Sequence, residues 1–153
     1  SKCIKDYFET KKSCIFCDMI QQEKEADKRN ICENDDFFAF CPFASRSPFE
    51  ITIVPKKHKP AFTDITDGEI DNLARILKDI LLRIKMVLDN PPYNFIIHTT
   101  PLNGYSSELY HWHIEFIPKL YRIAGFEWGT GFYINTMAPE LASKYLRETK
   151  VKA

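Results

Sequence analysis

The sequence predicts an α+β domain in which a largely antiparallel sheet packs against one long helix, and three observations carry that reading. Short runs of bulky and β-branched residues alternate with polar ones at a period of two, the signature of half-buried strands. A single stretch beginning at Thr66 repeats apolar residues at spacings of three and four over more than twenty positions. The strands fall on both sides of that stretch rather than alternating with helices of similar length, which favours α+β over α/β. A chain of 153 residues with 44% apolar and 27% charged residues is long enough to bury a core and is expected to form one domain, residues 1–153.

In chain order, Lys2–Lys11 reads as a short helix with Ile4, Tyr7 and Phe8 on one side. Ser13 to Asp18 interrupts it, and Met19–Glu25 is helical again. Asn30–Glu33 and Phe37–Cys41 are strands around the turn Asn34-Asp35-Asp36, a hairpin signal. Cys41 to Pro48 is a loop bracketed by prolines, followed by a strand at Phe49–Val54 that closes in Pro55-Lys56-Lys57-His58-Lys59-Pro60. The long helix starts at Thr66, where Thr66 and Glu69 form a capping box, and carries a core stripe from Ile70 to Leu88. Asn90-Pro91-Pro92 stops it, because proline cannot continue a helix. Tyr93–Thr99 is a strand, Thr100–Tyr110 a loop, and His111 to Pro118 another strand. Gly125 to Thr136 is expected to be irregular or extended, and Pro139–Glu148 is a final helix with proline in its first turn.

The strand His111-Trp112-His113-Ile114-Glu115-Phe116 holds the chemistry. Its period of two places His111, His113 and Glu115 on one face, with Trp112, Ile114 and Phe116 on the other. Two imidazoles at this spacing sit roughly 7 Å apart and point the same way, which suits one metal ligand and one group facing a substrate. A polar strand face washed by solvent is the alternative. Cys14-x-x-Cys17 is the second signal, because two thiolates at this spacing, with two nitrogen ligands, complete a tetrahedral zinc site. A thioredoxin-like redox pair expects a βαβ setting that the residues before Cys14 do not provide, and plain buried thiols are the third reading. Of the four histidines, His58 has no packing pattern to explain it, and His111 opens its strand from a loop. His98, in an apolar strand, reads as structural; Cys3, Cys32 and Cys41 lie alone and read as core. A neutral imidazole is a good nucleophile towards phosphorus, so His113 is a candidate for covalent phosphoryl chemistry. Arg122, the Gly125 backbone and the hydroxyls of Tyr105-Ser106-Ser107 are candidate donors to phosphoryl oxygens.

Charge and composition set bounds on partners. Lysine plus arginine and aspartate plus glutamate both number 21, so no basic excess is available for nucleic acid. The longest apolar runs are too short for a membrane span. Five cysteines without a dense framework suit a reducing, cytoplasmic setting. The first residue is Ser, which suggests a processed or excised piece of something longer.

Several separated segments together resemble one family. They are the Cys-x-x-Cys pair, the strand with its Pro-Lys-Lys-His turn, Cys41-Pro42-Phe43-Ala44-Ser45-Arg46-Ser47-Pro48-Phe49-Glu50, Asn90-Pro91-Pro92-Tyr93-Asn94, His-x-His on a late strand, and Gly125-Phe126-Glu127-Trp128-Gly129-Thr130-Gly131-Phe132-Tyr133-Ile134-Asn135. The chain looks like the histidine-triad superfamily and, within it, is similar to the C-terminal half of galactose-1-phosphate uridylyltransferases. The resemblance implies a zinc site formed by Cys14, Cys17, His58 and His111. It implies that Arg122, Gly125, Phe126 and Glu127 reach the phosphates of a UDP-sugar or hexose 1-phosphate. It also implies a uridylyl group exchanged through a histidine, with His113 at the position of the nucleophile in its own half. The implied assembly is a homodimer or a pairing with a homologous N-terminal half. Two departures stand out: the family's His-Pro-His-Gly-Gln sequence is absent, and Glu115 stands where that motif has Gln, which predicts repulsion of phosphate.

Overall fold

The computed structural model describes residues 2–101 and 109–151. The predicted hydroxyl donors Tyr105, Ser106 and Ser107 lie outside the described residues. Five strands form one antiparallel sheet, β1 (Asn30–Glu33), β2 (Phe37–Phe40), β3 (Ile51–Pro55), β4 (Tyr93–His98) and β5 (His113–Pro118), in the order β1-β2-β3-β5-β4. The helices are α1 (Lys2–Lys11), α2 (Ile15–Ala26), α3 (Asp67–Leu88), α4 (Gly125–Thr130) and α5 (Pro139–Glu148). The architecture is the α+β arrangement that the periodicities predict.

Strand alternation divides the apolar residues between two layers. Phe37, Ala39, Ile51, Ile53, Ile114 and Phe116 face α3 and α5, where they meet Leu73, Ile76, Ile80, Ile84 and Leu146 in the main core. Phe38, Phe40 and Val54 point the opposite way and pack under Ile20, Phe16 and Met19 of α2. Beyond α2, whose Phe16 reaches the His113 ring, this face is covered only in part along β5 and β4. That stretch carries His113, Glu115 and His98, all half-buried.

Local chemistry sets the helix ends. Thr66 and Glu69 make both halves of the capping box at the start of α3, and the Glu69 carboxylate also accepts from Lys59 Nζ. Ile70, counted in the core stripe by its spacing, is 47% exposed, so the buried face of α3 begins at Leu73. Helix α2 begins at Ile15 rather than Met19, since the Cys14 carbonyl already accepts the Asp18 N–H at 3.1 Å. The first turn of α2 therefore contains the whole Cys-x-x-Cys spacing.

Three further expectations are corrected. Gly125–Thr130 is a helical turn and a half: the Glu127 carboxylate accepts the Ala124 N–H at 3.1 Å, and Gly131 closes the element at φ 73°, a left-handed conformation that glycine adopts freely. The third strand begins at Ile51, because Phe49 takes a left-handed φ of 58° and turns the chain just before it. Cys3 is exposed rather than core, because α1 meets little besides α2; Cys32 is half-buried and Cys41 is buried.

Candidate functional site

Four side chains from three parts of the chain converge at one end of the sheet. Cys14 caps α2, Cys17 lies in its first turn, His58 follows β3, and His111 precedes β5. Their ligand atoms, one from each residue, all lie within 4.8 Å of one another. Backbone pairing brings the two histidine segments together: the Trp112 N–H donates to the Lys59 carbonyl at 2.9 Å. His111 Nδ1 stands 3.6 Å from Cys17 Sγ and 3.9 Å from Cys14 Sγ, and His58 Nδ1 stands 3.6 Å from Cys17 Sγ. His111 donates its other ring nitrogen, Nε2–H, to the Pro55 carbonyl at 2.9 Å, which leaves Nδ1 with the lone pair that a metal takes.

The donor set fits a tetrahedral zinc ion. Burial is the largest influence on Cys17 and pushes its thiol up to about 12, with the neighbouring Cys14 adding to it, so Cys17 carries thiolate charge only beside a cation. Burial, reinforced by His58, lowers His111 to about 4 and keeps it neutral, the form that binds metal. Four protein ligands would close the coordination sphere of such an ion, the arrangement of structural rather than catalytic zinc. No disulfide joins the described cysteines, and no βαβ unit surrounds them, so the redox-pair reading finds no support.

His113 lies half-buried beside this cluster on the same sheet face. Its Nδ1–H donates to the His111 carbonyl at 3.0 Å, so the neutral ring presents an unprotonated Nε2. Burial lowers its pKa to about 4, and the nearby His98 adds to the fall. The rings of Phe16 and His98 both pack on it, at 4.2 Å with 31° between planes and at 4.7 Å with 15°.

His98, read as structural from sequence, belongs to this site. Antiparallel pairing of β4 with β5 sets it directly opposite His113, and its Nε2 lies 3.2 Å from the Glu115 carboxylate. The missed signal was the pairing itself: once Tyr93–His98 runs against His113–Pro118, the two histidines share a register position. Arg46 was also missed. Its guanidinium pairs with Glu115, and the buried Glu50 accepts the backbone N–H groups of Arg46 and Ser47 at 2.7 and 3.1 Å. Burial pushes Glu115 upward, but the hydrogen bond with His98 and the charge of Arg46 outweigh it and hold the carboxylate below its ordinary range. The negative charge expected to repel phosphate is thus largely offset by a cation.

The remaining predicted residues lie apart from the histidines. Arg122 lines a concavity of about 610 Å³ with Lys119, Leu120, Tyr121, Ile123 and Trp128. Phe126 is 54% exposed on α4, Gly125 is exposed, and Glu127 is engaged in capping α4. Among the described residues no hydrogen bond or ion pair joins Arg122, Phe126 or Glu127 to His113.

Comparison with known proteins places these features in context. Residues 1–133 match the family model described as galactose-1-phosphate uridyl transferase, C-terminal domain. The chain is 39% identical over 149 residues to an ADP-glucose phosphorylase of Arabidopsis thaliana, covering 96% of this chain and 41% of that protein. A crystal structure of an ADP-glucose phosphorylase from the same plant, with bound ADP-glucose, superposes with a TM-score of 0.87 over 97% of this chain and 47% of the other. The galactose-1-phosphate uridylyltransferase of Thermotoga maritima is 32% identical over 157 residues, 97% of this chain and 49% of that protein. A histidine triad nucleotide-binding protein from Sulfolobus tokodaii, 20% identical, shares the fold with a TM-score of 0.63 over 88% of this chain and 90% of that one. The chain thus spans less than half the length of these two curated relatives.

Proposed function

The chain belongs to the galactose-1-phosphate uridylyltransferase family, and from that premise we propose that it is the C-terminal half of a nucleotidyltransferase of the UDP-glucose–hexose-1-phosphate uridylyltransferase type. In this reading residues 1–153 are one histidine-triad-like domain that binds a nucleotide sugar and a sugar 1-phosphate. The observation that carries it is the match of this half-length chain to the C-terminal domain of a two-half enzyme.

The site supports nucleotidyl transfer through His113. The Nε2 lone pair attacks the α-phosphorus of a nucleoside diphosphate sugar, and the bond from that phosphorus to the bridging oxygen breaks. The electron pair leaves with the sugar 1-phosphate. A second sugar 1-phosphate then attacks the same phosphorus through an oxygen, and the P–N pair returns to Nε2. Through both steps the His111 carbonyl holds the Nδ1 proton and stabilises the positive ring of the phosphoramidate. Cys14, Cys17, His58 and His111 would hold zinc, which would supply a rigid junction between α2 and the start of β5. Arg122, the Gly125 backbone and Phe126 supply contacts to phosphate and base from the arm after β5, and Glu127 caps the helix that carries them.

The reading also assigns the partner. β4 is an edge strand, and Tyr93, Phe95, Ile96 and Ile97 are all exposed along it. A homologous half, or a second copy of this chain, would pair along that edge and bury those side chains. Cys3, Cys32 and Cys41 as free thiols, with Cys14 and Cys17 kept for zinc, suit a reducing, cytoplasmic compartment.

One observation favours a second reading of the base and acceptor. The identity to an ADP-glucose phosphorylase exceeds that to the Thermotoga uridylyltransferase, so adenylyl transfer to inorganic phosphate is the alternative. Isothermal titration of the zinc-loaded chain with UDP-glucose and with ADP-glucose separates the two. Binding of either supports the nucleotide-sugar reading and names the base; binding of neither, alone or with a homologous N-terminal half, leaves this chain a zinc-stabilised pairing domain.

A further inference from the structure

The spacer inside the Cys-x-x-Cys pair carries an aromatic ring that the metal site does not need. Phe16 lies between Cys14 and Cys17 in the first turn of α2, and its ring stands 4.2 Å from the His113 ring, centroid to centroid. On the other side His98 stacks on His113 at 4.7 Å. The sheet order puts the two rings on opposite flanks, since β5 lies between β3, which α2 covers, and β4, which bears His98. Among the described residues no ring contact joins Phe16 to His98. The imidazole is therefore flanked by a tilted Phe16 ring and a stacked His98 ring, with Tyr110 further off at 6.4 Å.

We propose that Phe16 is a positioning residue for His113, and that it couples the metal centre to the orientation of that imidazole. The coupling follows from covalent geometry. Coordination fixes both cysteine Sγ atoms, and with them the turn from Cys14 to Cys17. Phe16 has only two side-chain torsions and rests on the buried layer of Ile20, Phe38, Phe40 and Val54, so a fixed turn leaves its ring little freedom. With the ring on one face, His98 on the other and the His111 carbonyl at Nδ1, the His113 plane and tilt are determined at three points. His98 is itself held, through Glu115 and Arg46, to the buried Glu50. Among the described residues no hydrogen bond engages His113 Nε2, the nitrogen left to meet an electrophile.

This inference rests on His113 being a reacting group, but its test does not need turnover. Diethyl pyrocarbonate is added to the zinc-loaded chain, and the rate of ethoxycarbonylation at His113 is followed by peptide mass spectrometry. Metal content is measured in the same samples, and cobalt-substituted protein reports thiolate coordination through its visible bands. Phe16→Ala is expected to retain one metal per chain and to raise the His113 rate about fivefold, the equivalent of one lost aromatic contact. Phe16→Tyr should restore the wild-type rate, and His98→Ala should raise it similarly from the other face. If Phe16→Ala keeps its metal and its cobalt bands while His113 reacts at the wild-type rate, Phe16 does not position the ring. If Phe16→Ala loses metal or fails to fold, the milder Phe16→Leu is scored in its place, with an expected rise of about twofold. An unchanged rate in metal-loaded Phe16→Leu overturns the proposal equally. A positive result here with no nucleotidyl transfer by the same protein would retain Phe16 as the positioning residue and discard the nucleophile; a His113 rate in metal-free wild type equal to that of the zinc-loaded chain would discard the coupling.

Discussion

His111 serves His113 through its backbone while its own ring faces the two cysteine sulfurs: the His111 carbonyl accepts the His113 Nδ1–H at 3.0 Å, and His111 Nδ1 lies 3.6 Å from Cys17 Sγ. One residue thus joins the metal centre to the candidate nucleophile. The expected strand from His111 begins only at His113, and it is the two-residue spacing leading into β5 that lets the His111 carbonyl reach back to the next histidine.

The cluster of Cys14, Cys17, His58 and His111 predicts stoichiometric zinc. Purified protein should carry about one zinc per chain, and Cys17→Ser should lose it and melt roughly 10 °C lower, since a closed site contributes folding free energy. Elemental analysis with differential scanning calorimetry checks both. Native protein without metal, and with Cys14 and Cys17 freely alkylated, would sink the assignment.

The Arg46–Glu115 pair predicts an asymmetric charge effect on ligand binding. Arg46→Ala leaves Glu115 uncompensated on the histidine face and should weaken nucleotide-sugar binding about tenfold, a fraction of the unscreened Coulomb term. Glu115→Gln should bind at least as tightly as wild type, and the double variant should return close to it. Calorimetric titration of the four proteins gives the cycle; a double variant as weak as Arg46→Ala would show that repulsion from Glu115 is not the cause.

How much of this was legible in the sequence depended on distance along the chain. The Thr66–Glu69 capping box and Cys14-x-x-Cys17 are local spacings, and both read directly. The partners of His113 are not local. His98 joins it only through strand pairing, and Arg46 meets Glu115 across 69 positions. Helix α4 was misread because its glycines signal irregular backbone, whereas one carboxylate, that of Glu127, captures the Ala124 N–H and starts a turn. Cys3 was misread because an apolar residue on a terminal helix needs a neighbour to bury it, and α1 has little beyond α2.

Association should follow from the sheet edge. Phe95 and Ile97 are 54% and 39% exposed on β4, so the isolated chain should pair along that strand with itself or with a homologous half. Phe95→Glu should weaken the association about a hundredfold by sedimentation, through buried charge and lost apolar contact. A monomeric wild type that also ignores a homologous half would contradict this.

Acid should loosen the start of α3. Hydrogen bonding and ion pairing to Lys59 hold Glu69 down to about 2, helped by the Thr66 contacts and opposed by burial. Because its folded pKa is depressed, its stabilisation is fully present above the ordinary glutamate range, near pH 4.5, and is lost as pH falls towards 2. Glu69→Gln should therefore cost about 1 kcal/mol at pH 7 and almost nothing near pH 2, by urea unfolding at the two pH values. An equal cost at both would mean that the carboxylate charge is not what stabilises the helix start.

Nucleotidyl transfer through His113 is the central claim, and covalent labelling tests it most directly. The zinc-loaded chain, alone and with a homologous N-terminal half whose own nucleophilic histidine is replaced, is incubated with α-³²P-labelled UDP-glucose or ADP-glucose, and the labelled peptide is sequenced. The account predicts label on His113, stable to base and labile to acid, and absent from His113→Ala. Nucleotide-sugar binding without label on His113 in either preparation would contradict it.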